Sequence, residues 1–206
     1  MTIYQQMFDR FGPQHWWPGR TKTEIIIGAI LTQNTNWENV KKAIVNLRRA
    51  KMLTFSALRD ADEKTIAELI RPSGYFNVKA KRLKNFVNFF YSEYGGSWKK
   101  FQSTPLDTLR EKVLSVNGVG PETADSILLY ALDKPIFVID VYTKRALSRH
   151  RMISEDDDYH AIQKLFMDNL TLDVAFFNEY HALFVRLAKE HCRTKPQCEG
   201  CPLKDE

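Results

Sequence analysis

A glycine pair followed downstream by one carboxylate is the part of this sequence best suited to chemistry. Gly118 and Gly120 flank Val119, and residues without a Cβ allow the positive φ and close backbone approach of tight turns. Pro121 follows, and proline suits the first helical position because its missing N–H would have no intrahelical partner there. Two helices joined in this way direct backbone amides outward at a helix N-terminus, where a phosphate oxygen can bind. Gly118, Val119 and Gly120 are therefore candidate contacts to a nucleic-acid backbone, and a helical hairpin with no ligand is the alternative.

Asp140, at the end of the apolar run that follows, is the candidate catalytic residue. One carboxylate can both stabilise a developing positive charge and position a water. Its neighbours Val138, Ile139 and Val141 are apolar and could hold it rigidly with limited solvent contact. The alternative is that Asp140 only caps the helix that begins near Val141, since Asp is favoured at the N-cap position.

The composition indicates a folded protein without identifying its partner. The chain has 206 residues and is 44% hydrophobic, which is enough for a sizeable core. Its net charge of +5 is compatible with a polyanionic partner, although proteins that bind none often carry such an excess. No apolar run approaches the roughly 20 residues of a membrane span, and residues 1–18 lack the pattern of a secretory signal. We therefore expect a cytoplasmic protein with no membrane partner.

Helical periodicity dominates the chain and predicts an all-α fold. Thr35 and Glu38 have the spacing of a capping box at the start of one helix. Residues 135–139 look extended, but the run is too short and isolated to imply a sheet. The apolar stripes comprise Trp37, Val40, Ile44 and Leu47; Leu83, Phe86, Val87 and Phe90; Ala124, Ile127, Leu128 and Ala131; and Tyr180, Leu183, Phe184 and Leu187.

The glycine hairpin with its downstream aspartate resembles the endonuclease III superfamily of DNA glycosylases, in which a helix-hairpin-helix motif precedes the catalytic Asp. The resemblance implies a two-lobed helical fold. A six-helix domain would span residues 21–132, and residues 1–20 would join residues 133–206 in a second lobe. The hairpin and Asp140 would lie at the mouth of a cleft between the lobes. The implied partner is double-stranded DNA with a damaged base, bound by a monomer associated with the nucleoid.

Glu122 stands where bifunctional members of the superfamily carry a lysine. That lysine attacks the sugar to form a Schiff base, which leads to strand cleavage, and a carboxylate cannot do this. We therefore expect a monofunctional glycosylase that leaves an abasic site. The structural alternative is that Glu122 only complements the helix dipole in the first turn.

The loop from Leu31 to Thr35, LTQNT, matches the family loop whose glutamine enters the DNA stack after the target nucleotide is flipped out. Flipping costs stacking and pairing energy, so a side chain that fills the gap is useful. Gln33, with Asn34 beside it, is the candidate. A polar connection between two helices is the alternative.

Three of the four tryptophans lie in two segments that the resemblance places at the cleft. A purine methylated at a ring nitrogen is cationic, and indole faces attract cations and stack on bases. Such a base is already an activated leaving group, so one carboxylate suffices without a general acid. The resemblance is closest to the 3-methyladenine branch, where residues matching Trp17, Pro18 and Trp37 line the base pocket, with Trp16 adjacent. The motifs that carry it are WWP at 16–18, LTQNT, RPSGYFNVKAKRL at 71–83, the Glu after the hairpin, and VIDVYT at 138–143.

Other functions remain open at this point. An adenine-mismatch glycosylase of the same superfamily is also monofunctional, but that branch is usually longer and carries an added domain. A glycosylase for another lesion is a further alternative. A non-catalytic helix-hairpin-helix module, in which Asp140 only caps a helix, is the alternative from a different class.

Four basic residues at positions 79, 81, 82 and 84 form a cluster at the start of a predicted helix. Lys79 and Lys81 are candidate phosphate contacts, which would position the duplex without reading its sequence. Solvated surface charge is the alternative.

All three cysteines, Cys192, Cys198 and Cys201, lie within ten residues, which favours metal binding over disulfides in a cytoplasmic protein. The superfamily often carries a [4Fe–4S] cluster on four C-terminal cysteines, and the fourth would here fall one position beyond Glu206. A cluster, a zinc ion held with His191, or a metal-free loop are the alternatives. The glycosylase chemistry itself requires no cofactor.

Overall fold

The computed structural model describes residues 2–204, which fold as two compact units. The central unit is continuous and spans Gly19–Lys134, whereas the terminal unit combines Met1–Pro18 with Pro135–Glu206. Each boundary lies two residues from the one that the sequence predicted.

The described residues contain α-helices and no strand, so the all-α fold class is confirmed. The helices are α1 (Ile3–Phe11), α2 (Lys22–Leu31), α3 (Trp37–Arg49), α4 (Phe55–Asp60), α5 (Glu63–Leu69), α6 (Phe76–Tyr94), α7 (Trp98–Ser103), α8 (Leu106–Leu114), α9 (Pro121–Leu132), α10 (Val141–Arg149), α11 (Tyr159–Asn169) and α12 (Val174–Glu190), with a 3-10 helix at Arg71–Ser73.

The central unit contains eight α-helices, α2 to α9, so the prediction of six was wrong. Three of them, α4, α5 and α7, have only six or seven residues. Each begins at its own side-chain cap, because Thr54, Asp62 and Ser97 accept hydrogen bonds from the amides of Ala57, Thr65 and Lys100. Apolar periodicity needs a longer window than these helices provide, which is why the sequence did not separate them.

Two apolar helices, α2 and α9, pack together at the centre of this unit. Ile26, Ile27 and Ile30 of α2 are fully buried, and every residue from 123 to 132 of α9 is buried. A helix that is buried all round is mostly apolar, and each buried Ile contributes about 1.5–3 kcal/mol. The second helix of the glycine hairpin is therefore fixed in the core.

The start of α3 differs from the prediction. Asn36, and not Thr35, is the N-cap, and its side chain accepts from the Asn39 amide at 3.0 Å. The capping box of Thr35 and Glu38 was therefore wrong, although the apolar stripe of α3 is confirmed by the burial of Val40 and Leu47. Asn36 is the N-cap because it immediately precedes the helix and offers an equally good acceptor.

The terminal unit is built around α12, which packs against α1 and α10. Its core is aromatic: the Phe137 and Phe166 rings stack with centroids 3.9 Å apart, and Tyr180 stacks on Phe184 at 5.1 Å. Residues 135–139 run without regular structure into the core and lead to Asp140 at the start of α10. Within residues 2–204, no helix is both long and apolar enough to cross a membrane.

Candidate functional site

The hairpin between α8 and α9 needs a glycine at one of its two glycine positions. Gly118 has a φ of +92°, and a Cβ there would overlap the Arg82 side chain. Gly120 has a φ of −92° and open space where a Cβ would stand. The expectation of a positive φ and a close backbone approach was therefore wrong for this residue. Gly120 is instead the extended N-cap of α9.

Val119, between the glycines, was a predicted backbone contact, and the structure contradicts this. Its side chain is buried, and its amide donates to the Val116 carbonyl at 3.0 Å. Both groups therefore stabilise the turn itself. The outward amides belong to the start of α9, where Gly120 provides no side-chain cap and Pro121 has no N–H. An uncapped helix N-terminus suits an anion, and the first turn also carries the exposed carboxylate of Glu122.

Gln33 is attached directly to this hairpin. Its Nε2 donates to the Gly118 carbonyl at 3.0 Å and to Thr123 Oγ1 at 2.9 Å, while its Oε1 accepts from Arg82. Asn34, the next residue, is exposed and has a φ of 53°, a conformation that Asn tolerates better than most residues. The structure thus joins the predicted glutamine loop and the predicted hairpin in one hydrogen-bonded assembly. The roles of Arg82 and Thr123 in it had no signal in the sequence.

The basic cluster at the start of α6 divides into buried and exposed members. Lys79 is 1% exposed, and its Nζ donates to the carbonyls of Leu31 at 2.8 Å and Ser73 at 2.7 Å. Burial, with a smaller effect from Arg82, lowers the pKa of Lys79 to about 8. The predicted phosphate contact of Lys79 was therefore wrong, because this ammonium group ties the end of α2 to the 3-10 helix. Lys81 is exposed and stays a candidate.

Asp140 is both the N-cap of α10 and a buried carboxylate. Its Oδ1 accepts from the amides of Tyr142 at 3.0 Å and Thr143 at 2.7 Å, so the capping role that the sequence left open is real. The other oxygen, Oδ2, lies 3.4 Å from Nε2 of His181, and Asp140 is only 8% exposed. No sequence motif identified His181 as the neighbour of Asp140.

The pKa of Asp140 reflects opposing effects. Burial would raise the pKa of this carboxyl group, but the charge and hydrogen bonding of His181 and the hydrogen bonds from Thr143 outweigh that effect. The resulting pKa lies below the ordinary value for Asp. The geometry therefore provides an ionised carboxylate, rigidly held and largely shielded from water.

The predicted base-pocket residues are distributed over both units. Trp16 and Trp17 lie in the terminal unit with their rings 5.4 Å apart in an edge-to-face arrangement, and Lys189 Nζ is 5.6 Å from the Trp16 ring. Pro18 is the exposed last residue of that unit's N-terminal segment. Trp37 is the first residue of α3 in the central unit. All three indoles are partly exposed.

The three cysteines of the tail have different surroundings within residues 2–204. No group of three or more His, Cys, Asp or Glu side chains among these residues is arranged to hold a metal ion. Cys192 is buried, its carbonyl accepts from Arg145 at 2.7 Å, and its Sγ lies 3.4 Å from a guanidinium nitrogen of Arg149. These residues supply three of the four thiols that a [4Fe–4S] cluster uses, and the cluster, the zinc ion and the metal-free loop stay predictions.

A family model places these residues in context. Residues 27–171 match the model described as HhH-GPD superfamily base excision DNA repair protein. The match includes Gln33, the hairpin and Asp140 but neither Trp16 and Trp17 nor the cysteine tail.

Individual proteins and structures agree with this family. A Methanocaldococcus jannaschii protein, provisionally described as a DNA repair glycosylase, is 48% identical over 98% of this chain and 93% of its own length. The crystal structure of the H. pylori 3-methyladenine DNA glycosylase bound to 1,N6-ethenoadenine is 28% identical, with a TM-score of 0.75 over 90% of this chain and 93% of that chain. A non-covalent endonuclease III–DNA complex superposes with a TM-score of 0.82 over 98% of this chain and 94% of that chain, and at 23% identity it shows the fold alone.

Proposed function

Because the chain belongs to the HhH-GPD superfamily of base excision DNA repair proteins and is a DNA repair glycosylase, we propose that its substrate is duplex DNA containing 3-methyladenine or a related alkylpurine. We further propose that the enzyme is monofunctional. The observation that carries the proposal is the buried, ionised carboxylate of Asp140 at the N-terminus of α10.

Asp140 supplies the negative charge that the reaction needs. As the N-glycosidic bond breaks, its electron pair leaves with the cationic base, which departs neutral, and the sugar becomes oxocarbenium-like. A fixed carboxylate stabilises that positive charge, and it costs no reorganisation because two amides already hold Oδ1. Water then adds to C1′, and its proton passes to the carboxylate or to solvent.

Glu122 supports the absence of lyase chemistry. It is an exposed carboxylate in the first turn of α9, at the position where bifunctional relatives carry the Schiff-base lysine. A carboxylate cannot form an imine with the sugar. Its negative charge is instead compatible with the positive end of the α9 dipole.

The hairpin, the Gln33 loop and Lys81 supply the proposed contacts to DNA. The uncapped start of α9 suits a phosphate, and exposed Lys81 adds a positive charge that does not read sequence. Gln33 is already held at its amide by the hairpin and Arg82. Insertion into the gap left by a flipped base would exchange these bonds for bonds to the orphaned base, which a neutral amide can form without a charge penalty.

The tryptophans and one solved relative support an alkylpurine over other lesions. Partly exposed indoles at positions 16, 17 and 37 offer faces that attract a cationic base by roughly 0.5–2 kcal/mol. The H. pylori 3-methyladenine DNA glycosylase, bound to an alkylated adenine, shares 28% identity and the fold of this chain.

Base-release profiling tests the substrate. The protein is incubated with duplexes carrying 3-methyladenine, 1,N6-ethenoadenine, an A·8-oxoguanine mismatch or an undamaged sequence, and the free bases are separated and quantified. We expect release from the alkylated duplexes. Release only from the mismatch duplex would contradict the alkylpurine assignment, and no release from any lesion would favour a non-catalytic DNA-binding module.

Borohydride trapping tests the monofunctional mechanism. Sodium borohydride is added during turnover on the preferred duplex, with a bifunctional endonuclease III on its own substrate as the positive control. We expect no covalent protein–DNA complex and no strand cleavage before alkaline treatment. A high yield of trapped complex would show that another residue forms the Schiff base.

A further inference from the structure

His181 is a buried titratable group that the reaction described above does not use. It lies on α12 and is 4% exposed, and its Nε2 is 3.4 Å from Oδ2 of Asp140. We propose that His181 is the positioning residue for Asp140, donating its Nε2–H to Oδ2 and thereby fixing the orientation and the ionised state of the carboxylate. The inference rests on the proposed role of Asp140 in glycosidic hydrolysis.

The two oxygens of Asp140 have different partners. Oδ1 is held by the amides of Tyr142 and Thr143, which belong to the same helix as the carboxylate. These bonds alone leave the plane of the carboxylate to be set by whatever contacts Oδ2. The imidazole of His181 approaches Oδ2 from a different helix, with Nε2 3.4 Å away, and the proposed hydrogen bond would fix the second oxygen independently. A carboxylate held at both oxygens presents its charge in one direction.

Burial makes the second partner necessary. The side chains of Asp140 and His181 are only 10% and 5% exposed, so neither oxygen can rely on water. A buried carboxylate without a donor tends to take up a proton, and a protonated Asp140 could not stabilise a cationic sugar. In the proposal, the Nε2–H of His181 supplies the donor that the buried Oδ2 needs.

The other groups near this pair do not replace His181. Thr143 contributes hydrogen bonds, and His181 is the ionisable residue within positions 2–204 whose charge acts on the pKa of Asp140. Tyr180, next to His181, stays neutral because burial raises its pKa. Tyr4 of α1, which packs against Tyr180, also has a raised pKa, caused by burial and by Glu179. The hydroxyl of Tyr159 is engaged with the backbone before Asp140, because it accepts from the Ile139 amide at 3.4 Å.

The test compares His181→Leu with His181→Gln. Leucine removes the donor, whereas glutamine retains an N–H group near the position of Nε2 but cannot titrate. One readout is the carbon-13 NMR titration of the Asp140 carboxyl carbon in DNA-free protein. The other is the pH profile of single-turnover release of 3-methyladenine. Affinity for a duplex with an abasic-site analogue and the melting temperature serve as controls.

In His181→Leu we expect the pKa of Asp140 to rise, because burial then acts unopposed by the imidazole. Base release requires the ionised form, so the acid limb of the rate profile should move to higher pH by the same amount. A shift of one pKa unit lowers the rate about tenfold on the acid limb and leaves it nearly unchanged at high pH. His181→Gln should stay close to wild type, and DNA affinity should not change. An acid limb and a carboxyl titration identical to wild type in His181→Leu would overturn the proposal.

The readouts separate this inference from the proposed function. If wild type releases no base but the Asp140 titration shifts in His181→Leu, the proposed function fails and the pairing stands. Base release without a titration shift would refute the pairing alone. Should His181→Leu not fold, nitrogen-15 NMR of wild type decides: we expect a proton on Nε2, and a lone pair on Nε2 facing the carboxylate would contradict the proposal.

Discussion

Each unit buries a carboxylate next to a basic side chain, and the two are bonded in different ways. Asp125 of the central unit is fully buried, and Arg110 binds both of its oxygens through Nε and a terminal nitrogen at 2.7 and 3.0 Å. Asp140 of the terminal unit has one oxygen on backbone amides and the other 3.4 Å from an imidazole.

The difference teaches which buried charge is available for chemistry. An arginine is always protonated, so the guanidinium of Arg110 neutralises the charge of Asp125 locally. Its two hydrogen bonds also tie α8 to α9. At Asp140, backbone amides hold one oxygen and an imidazole lies beside the other, and an imidazole, unlike a guanidinium group, is not permanently charged. Burial of a carboxylate alone therefore does not indicate function; the kind of partner does.

Asp125→Asn should disrupt the ion pair of the central unit and cause the largest loss in the free energy of unfolding. Removing the charge leaves the Arg110 guanidinium paired with a neutral amide in a nearly buried site, which is expected to cost about 3–5 kcal/mol. Urea unfolding followed by circular dichroism measures it. Asp140→Asn is the matched control and should cost less than about 1 kcal/mol, because Asn caps a helix as well as Asp does. Equal losses in the two variants would contradict the division into structural and functional carboxylates.

A second comparison within the central unit uses two neighbouring lysines. Lys79→Met leaves the Leu31 and Ser73 carbonyls without their donor, and we expect it to reduce the free energy of unfolding by about 1–3 kcal/mol.

Lys81→Ala should leave stability unchanged but weaken DNA binding uniformly and lower the slope of log affinity against log salt by about one. Titrations of a fluorescent duplex at several salt concentrations measure this. An unchanged salt slope in Lys81→Ala would remove Lys81 from the interface.

The smallest effect is expected in the hairpin. Gly118→Ala places a Cβ at a φ of +92° and against Arg82, and should cost at least about 1 kcal/mol. Gly120→Ala is the control and should leave stability nearly unchanged, because its φ suits alanine and the weaker capping by alanine offsets the entropy gain. Thermal unfolding of both variants measures the difference. A larger loss for Gly120→Ala would mean that the hairpin is built differently.

The sequence predicted the helical class, the hairpin and the start of α10, because these depend on local periodicity, turn residues and caps. The sequence also indicated that Lys79 is buried. This lysine lies four and seven residues before Leu83 and Phe86, on the same face of α6, so its position in the apolar stripe indicates burial. Lys81 is off that face. A basic cluster should therefore be divided by helical face before its members are assigned to DNA.

The pairings could not be predicted, since each joins residues that are distant in sequence. His181 lies on the buried face of α12 with Phe177 and Phe184, which indicates burial but not that Asp140 is its neighbour. The contact between Gln33 and Thr123 likewise arises from the packing of α2 against α9. Periodicity gives the face of a helix, whereas the partner depends on how helices pack.

The most direct test of the central claim is single-turnover release of 3-methyladenine by wild type and Asp140→Asn, measured together with affinity for the same duplex. The asparagine variant keeps the cap of α10 but loses the negative charge. We predict that DNA affinity is retained while the rate of base release falls by at least roughly 10²-fold, the scale of removing a key electrostatic group. Base release at the wild-type rate by Asp140→Asn would contradict the assignment of Asp140 as the catalytic carboxylate.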